Sequence, residues 1–196
     1  MLDRLPRRNF RKIVLAPQAG FLPGGRSRVR IFGVFYRRRL PHWDPGGKII
    51  FITWRLHPSV PARTLRNPAI ASIVGEAIEH GAVRLRRYQA LAWTIMPEHV
   101  HLLLRPSTSL AAIMRSLKGW SACAANRRLG RTGKPFWQDE SFDHWLRSDG
   151  EIRATARYIL CNPVRRGLVS RPEQWPWSWT APELARQLER EKESAI

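Results

Sequence analysis

From residue 48 onward, hydrophobic and polar positions fall into clear periods. "KIIFITWR" (48–55) is dense in β-branched and aromatic residues, which predicts a strand. "NPAIASIVGEAIEHG" (67–81) places Ile70, Ile73, Val74 and Ile78 on one helical stripe. Asn67 suits the cap of that helix, Pro68 its first turn and Gly81 its end. "VRLRRYQALAWTIM" and "HVHLLLR" read as two strands around a turn at Pro97 and Glu98. "SLAAIMRSLKGWSACAANRRLG" (109–130) is a second helix, capped by Ser109 or a neighbour and ended by Gly130. "SFDHWLR" (141–147) alternates like a strand. "SDGEIRATARYILC" (148–161) opens with Ser148 and Glu151 at capping-box spacing and is expected to stop near Pro163. The order β-α-β-β-α-β matches a ferredoxin-like split unit. The fold class expected is therefore α+β: an antiparallel sheet with helices on one face, plus an extra C-terminal helix that carries Tyr158.

Residues 1–47 lack such periods and read as a basic arm, ahead of a domain over 48–180 and a short helical tail over 181–196. No apolar run is long enough for a membrane span, and "IVLA" near the N-terminus is too brief for a secretory core. Two cysteines, Cys123 and Cys161, suggest neither a disulfide framework nor a zinc site, so a cytoplasmic setting is expected. The charge changes the picture more. There are 34 basic and 15 acidic residues, a net +19, which favours a polyanionic partner and above all nucleic acid. Five of the 34 are lysines; arginine's planar fork suits phosphates and base edges, although a GC-rich genome also inflates arginine.

Candidate chemistry begins with "MPEHVHLLL" (96–104). Strand alternation puts His99 and His101 on one face and Val100, Leu102 and Leu104 on the other. Two imidazoles on one face can converge on a metal ion; a half-exposed strand face with ordinary histidines is the bland alternative. Tyr158 lies in the last helix with Asn162 one turn further on. Tyrosine can act as a covalent nucleophile, but most helix tyrosines pack their ring and hydrogen-bond their tip. Asn162, directly before a proline, also suits a helix end.

"MPEHVHLLL", "GKPFWQDESFDHWLR" and "RYILCNPVRRGLV", in this order and spacing, resemble the single-tyrosine HUH transposases, and within them the REP-associated tyrosine transposase branch. "LPHWDPGGKIIFITWRLHPSVP" (40–61) is similar to the opening of that branch, and the resemblance runs over roughly residues 40 to 179. It implies that His99 and His101 hold a divalent metal, Mg²⁺ or Mn²⁺, with Asn162 completing the protein ligands, and that Tyr158 is the nucleophile. It implies cleavage of single-stranded DNA bearing hairpins, a 5′-phosphotyrosine link and a free 3′-OH able to rejoin strands. A homodimer is compatible with it. Imidazole ligands would favour Mn²⁺, and a set without carboxylates would hold Mg²⁺ weakly in the absence of DNA. Glu98 stands where the family often has Asn, Cys161 where it has a polar residue, and "WPWSWT" (175–180) departs from the usual ending.

Further candidates are weaker signals. Glu98 could perturb His99 and His144 could face the metal from behind its ligands, a structural role at the sheet edge being the preferred reading of His144. Arg115, Lys118 and Trp120 in the second helix, with Arg165 and Arg166 after Asn162, are candidate nucleic-acid contacts. A solvated basic helix face accounts for the first three equally well. "QWPWSW" (174–179) reads as a tryptophan cluster closing the core. Two other functions fit the same chain: a non-catalytic nucleic-acid-binding protein, and a phosphodiesterase that uses water, which the lack of a carboxylate-rich ligand set disfavours.

Overall fold

The computed structural model of the protein describes residues 48–193; the basic arm, with Tyr36 and His42, lies outside them. Five strands form one antiparallel sheet in the order β4-β1-β3-β2-β5. They are β1 (Ile49–Leu56), β2 (Tyr88–Ile95), β3 (His99–Pro106), β4 (Trp137–Leu146) and β5 (Ser178–Thr180). The helices are α1 (Pro68–Glu79), α2 (Leu110–Arg128), α3 (Asp149–Arg165) and α4 (Pro182–Glu193).

Strand alternation builds two cores. Ile50, Ile52, Trp54 and Leu56 of β1 join Val100, Leu102 and Leu104 of β3 beneath α1 and α2. On the other face, Ile49, Phe51 and Leu103 meet Ala156, Ile159 and Leu160 of α3 and Leu184 and Leu188 of α4. The two helices of the expected β-α-β-β-α-β unit, α1 and α2, share one face, and the tyrosine helix lies on the other. Both faces of the central strands are apolar enough to need cover, and α3 and α4 supply it on the second. The tyrosine helix is accordingly not the last one: β5 pairs with β2 and α4 follows. Glu191 of α4 forms ion pairs with Arg153 and Arg157 of α3.

Local chemistry explains most element ends. Asn67 accepts from the Ala69 N–H at 3.0 Å and Ser109 from the Ala112 N–H at 3.3 Å. Ser148 accepts from the Glu151 N–H, while the Glu151 carboxylate reaches past it to the Arg147 N–H. Pro163 does not end α3, which continues to Arg165. The Leu168 N–H bonds the Pro163 carbonyl and the Gly167 N–H that of Val164, a Schellman closure with Gly167 at φ +66°. Two buried neighbours explain the tolerance: Asn162 and Pro163 sit in the core, where packing outweighs one lost helix bond.

Gly81 does not stop the first helical segment either. The chain continues as a π turn over His80–Arg84, and the segment expected to start the next strand at Val83 joins it at Tyr88. Gly81 is needed because the Tyr88 hydroxyl donates to the Ile78 carbonyl at 2.7 Å, where a Cβ on residue 81 would lie 2.7 Å from that oxygen. "QWPWSW" closes the core as expected at Trp175, which is buried and donates from Nε1 to the Ile95 carbonyl; Ser178 and Trp179 belong to the added strand.

Gly81→Ala should destabilise the fold by about 1–3 kcal/mol through overpacking and loss of the Tyr88 bond, read as a lower urea midpoint. Gly119→Ala, in open space within α2, should raise the midpoint slightly.

Candidate functional site

The site lies between the β1–β3 pair and α3. Register places Thr53 opposite His101 and Arg55 opposite His99, so these four side chains share the face that α3 covers. Tyr158, Asn162 and Arg165, spaced four and three apart, line the helix face that meets them.

His101 is the centre. Its Nε2 lies 3.0 Å from His99 Nε2 and 3.1 Å from the Asn162 amide nitrogen. Its Nδ1 lies 2.7 Å from Thr53 Oγ1, a contact that fixes the ring and leaves Nε2 for the convergence point. The Tyr158 ring meets the His101 ring at 5.6 Å, and Phe51 stacks on His101 at 5.5 Å and meets Tyr158 edge-on at 6.1 Å. The Arg165 guanidinium lies over the Tyr158 ring, 5.2 Å from its centroid.

His99, His101 and Asn162 are all more than nine-tenths buried. Burial, reinforced by the charges of Arg55 and Arg166, pushes His99 down to about 4. Burial, with the charges of His99, Arg166 and Arg55, pushes His101 down to about 3. Both imidazoles are therefore neutral at pH 7, the form that binds a cation. Asn162 Oδ1 is buried without a hydrogen-bond partner, and a half-turn of the amide exchanges it with the nitrogen that faces His101. Two neutral imidazole nitrogens and an unpaired amide oxygen fit one divalent ion. Among the described residues no three His, Cys, Asp or Glu side chains gather for a metal; the third candidate donor here is an amide.

The other candidates are placed as follows. His144 is opposite Phe51 on β4, on the same sheet face as the histidine pair, and exposed. Glu98 is exposed; its carbonyl accepts from the Leu56 N–H at 2.9 Å. Arg166 caps α3, next to Arg165 and close enough to depress both histidines. Arg115, Lys118 and Trp120 lie on α2, in the opposite layer from Tyr158. Lys118 Nζ donates to the carbonyls of Gln138, Asp139 and Glu140 at 2.9–3.2 Å, and Trp120 stacks on His80 at 6.5 Å. Thr53, Arg55 and Phe51 were missed in sequence; their signal was alternation along β1, which becomes informative once β1 is paired with β3.

A histidine pair on a central strand, faced by a helix that brings tyrosine and asparagine one turn apart, defines the layout of a single-tyrosine HUH protein. Comparison with known proteins agrees. The family described as "Transposase IS200 like" matches residues 64–161, half of the chain, and the chain belongs to that family. A REP-associated tyrosine transposase of Escherichia coli (strain K12) is 26% identical over 119 residues, 58% of this chain and 68% of that protein. A Haemophilus influenzae relative is 26% identical over 104 residues, 46% of this chain and 58% of its own length. A solved REP-associated tyrosine transposase bound to a REP hairpin is 25% identical, with a TM-score of 0.60, covering 80% of this chain and 88% of that one.

The histidine values carry a stability consequence. Both lie below the ordinary 6.5, so the unfolded chain binds more protons than the native one once pH falls under that value. Stability from this pair is complete above about pH 6.5 and is lost as pH falls through about 4 and 3. In chelator, the urea midpoint of the wild type should drop between about pH 7 and about pH 5 more than that of His99→Gln/His101→Gln, which lacks the titrating rings. Equal drops would contradict the burial of neutral imidazoles.

Proposed function

We propose that this protein cleaves and rejoins single-stranded DNA at hairpin-bearing sequences, using Tyr158 as nucleophile and a divalent ion, Mg²⁺ or Mn²⁺, held by His99, His101 and Asn162. The observation that carries it is the meeting of Tyr158 and Asn162 with His101 across the sheet–helix interface. All four groups come from one chain, so the reading does not call on a second copy. The hairpin in the solved relative supports hairpin DNA as the partner here.

The bound ion would supply Lewis-acid neutralisation of charge on the phosphate oxygens. The chain's own residues do the rest. Thr53 and Phe51 fix the His101 ring from its edge and its face. Arg165 holds the Tyr158 ring by cation–π contact, and that ring lies beside His101. Attack of Tyr158 Oη on phosphorus forms a phosphotyrosine with the 5′ side of the DNA. The bond to the 3′ oxygen breaks, and that oxygen leaves as a hydroxyl, taking up one proton for the one lost by the phenol. The reverse attack by a 3′-OH restores a phosphodiester and frees Tyr158.

The test is the covalent link. A hairpin oligonucleotide labelled downstream of the cut should migrate with the protein in a denaturing gel, and peptide mapping should place the nucleotide on Tyr158. Tyr158→Phe keeps the packed ring and should lose the adduct while retaining most DNA affinity. Cleavage without an adduct would point to water as nucleophile, binding without cleavage to a non-catalytic module, and full activity of Tyr158→Phe would refute the assignment.

A further inference from the structure

Arg55 has no role in the site as described so far, yet the fold gives it a particular position. It is the cross-strand partner of His99, which brings the two side chains together at their roots on the face that α3 covers. On its other flank the sheet is interrupted. Trp54 pairs with Ser141 and Leu56 with Trp137, so three residues of β4, Gln138 to Glu140, bulge outward opposite the single residue Arg55. The bulge is fixed from behind: Lys118 Nζ takes the carbonyls of all three residues, and Gln138 Nε2 donates to the Leu56 carbonyl at 3.1 Å. Arg55 consequently stands between the histidine pair and the β4 bulge.

Its guanidinium is exposed and makes no ion pair or hydrogen bond among the described residues, although Asp139 and Glu140 stand in the bulge beside it. Arg166 caps α3 one turn beyond Asn162, its N–H bonding the Asn162 carbonyl at 3.0 Å; it is likewise exposed and without an acidic partner among the described residues. Two guanidiniums thus stand near a candidate ligand set that contains no carboxylate, and the charge of each reaches both imidazoles. A cation in such a place, near two more cations, needs an anion that bridges them. A phosphodiester has the matching charge and two oxygens for guanidinium forks.

We propose that Arg55 and Arg166 clamp the scissile phosphodiester beside the His99–His101 pair, Arg55 from β1 and Arg166 from the end of α3. This rests on the nuclease reading above and adds to it the residues that seat the phosphate. Arg55 is then a contact to the reacting group, and the β4 bulge held by Lys118 is the device that makes room for the strand.

Binding in a Tyr158→Phe background tests the clamp independently of cleavage. A hairpin with a single-stranded extension is compared with versions in which one phosphate at a time is replaced by an uncharged methylphosphonate. Arg55→Gln should weaken the native DNA on the order of tenfold, and the slope of log affinity against log salt should shrink by about 0.7. At one position, the phosphodiester cut by the wild type, methylphosphonate and Arg55→Gln should each weaken binding, with no further loss when combined. Arg55→Lys should keep most of the salt slope. Mn²⁺ affinity of Arg55→Gln, by calorimetry, should equal or exceed that of the parent, since a repelling charge has gone. Additive losses at every position would overturn the clamp, and so would a fall in Mn²⁺ affinity, which would mean that Arg55 only supports His99. Failure of the adduct on Tyr158 would instead sink the nuclease reading and leave the phosphate contact measurable.

Discussion

The β1–β3 register is the constraint on which the site depends. With Thr53 opposite His101 and Arg55 opposite His99, the hydroxyl that orients one imidazole and the cation beside the other are set by backbone pairing. A slip of one residue would turn Thr53 and Arg55 into the α1–α2 core and bring Ile52 and Trp54 to the site. That slip is blocked by the apolar residues themselves, because Ile50, Ile52 and Trp54 are almost wholly buried on the opposite face. The same burial that stabilises the domain therefore aligns its chemistry.

Docking of α3 completes the arrangement. Ala156, Ile159 and Leu160 bury against the sheet, which turns Tyr158 and Asn162 towards the histidines. It also removes the imidazoles from water, keeping them neutral in a strongly basic protein. A chain with a net +19 would ordinarily repel a divalent cation. Here two buried neutral rings and an amide offer lone pairs without adding charge, and on the proposed reading the surrounding arginines meet phosphate. The proposed functions are separated by depth: Arg55 and Arg166 are exposed, and the three candidate donors are buried.

Much of this was legible in the sequence where the signal is local. The alternation around Val100, the one-turn spacing of Tyr158 and Asn162, and the caps at Asn67, Ser109 and Ser148 each depend on neighbours a few residues apart. What was not legible depends on distant pairing. Thr53 and Arg55 carry no motif of their own and acquire a role through β3. Gly81 reads as a helix stop but answers to the Tyr88 hydroxyl, and Pro163 reads as a helix end but is held inside α3 by core packing and the Gly167 closure. Lys118 resembled a DNA contact because it is a lysine beside an exposed tryptophan; its ammonium is engaged by three β4 carbonyls. Cover on both sheet faces followed from two apolar stripes on β1, visible in "KIIFITWR" as continuous hydrophobicity.

The central claim is that His99, His101 and Asn162 present their donors to a single divalent ion. Pulsed electron paramagnetic resonance of Mn²⁺, with protein carrying ¹⁵N-histidine, reads this directly. Two directly bound histidine nitrogens should appear in the wild type, one in His99→Gln and one in His101→Gln, and none in the double variant. A Mn²⁺ spectrum without histidine coupling, or one unchanged by both substitutions, would contradict the account.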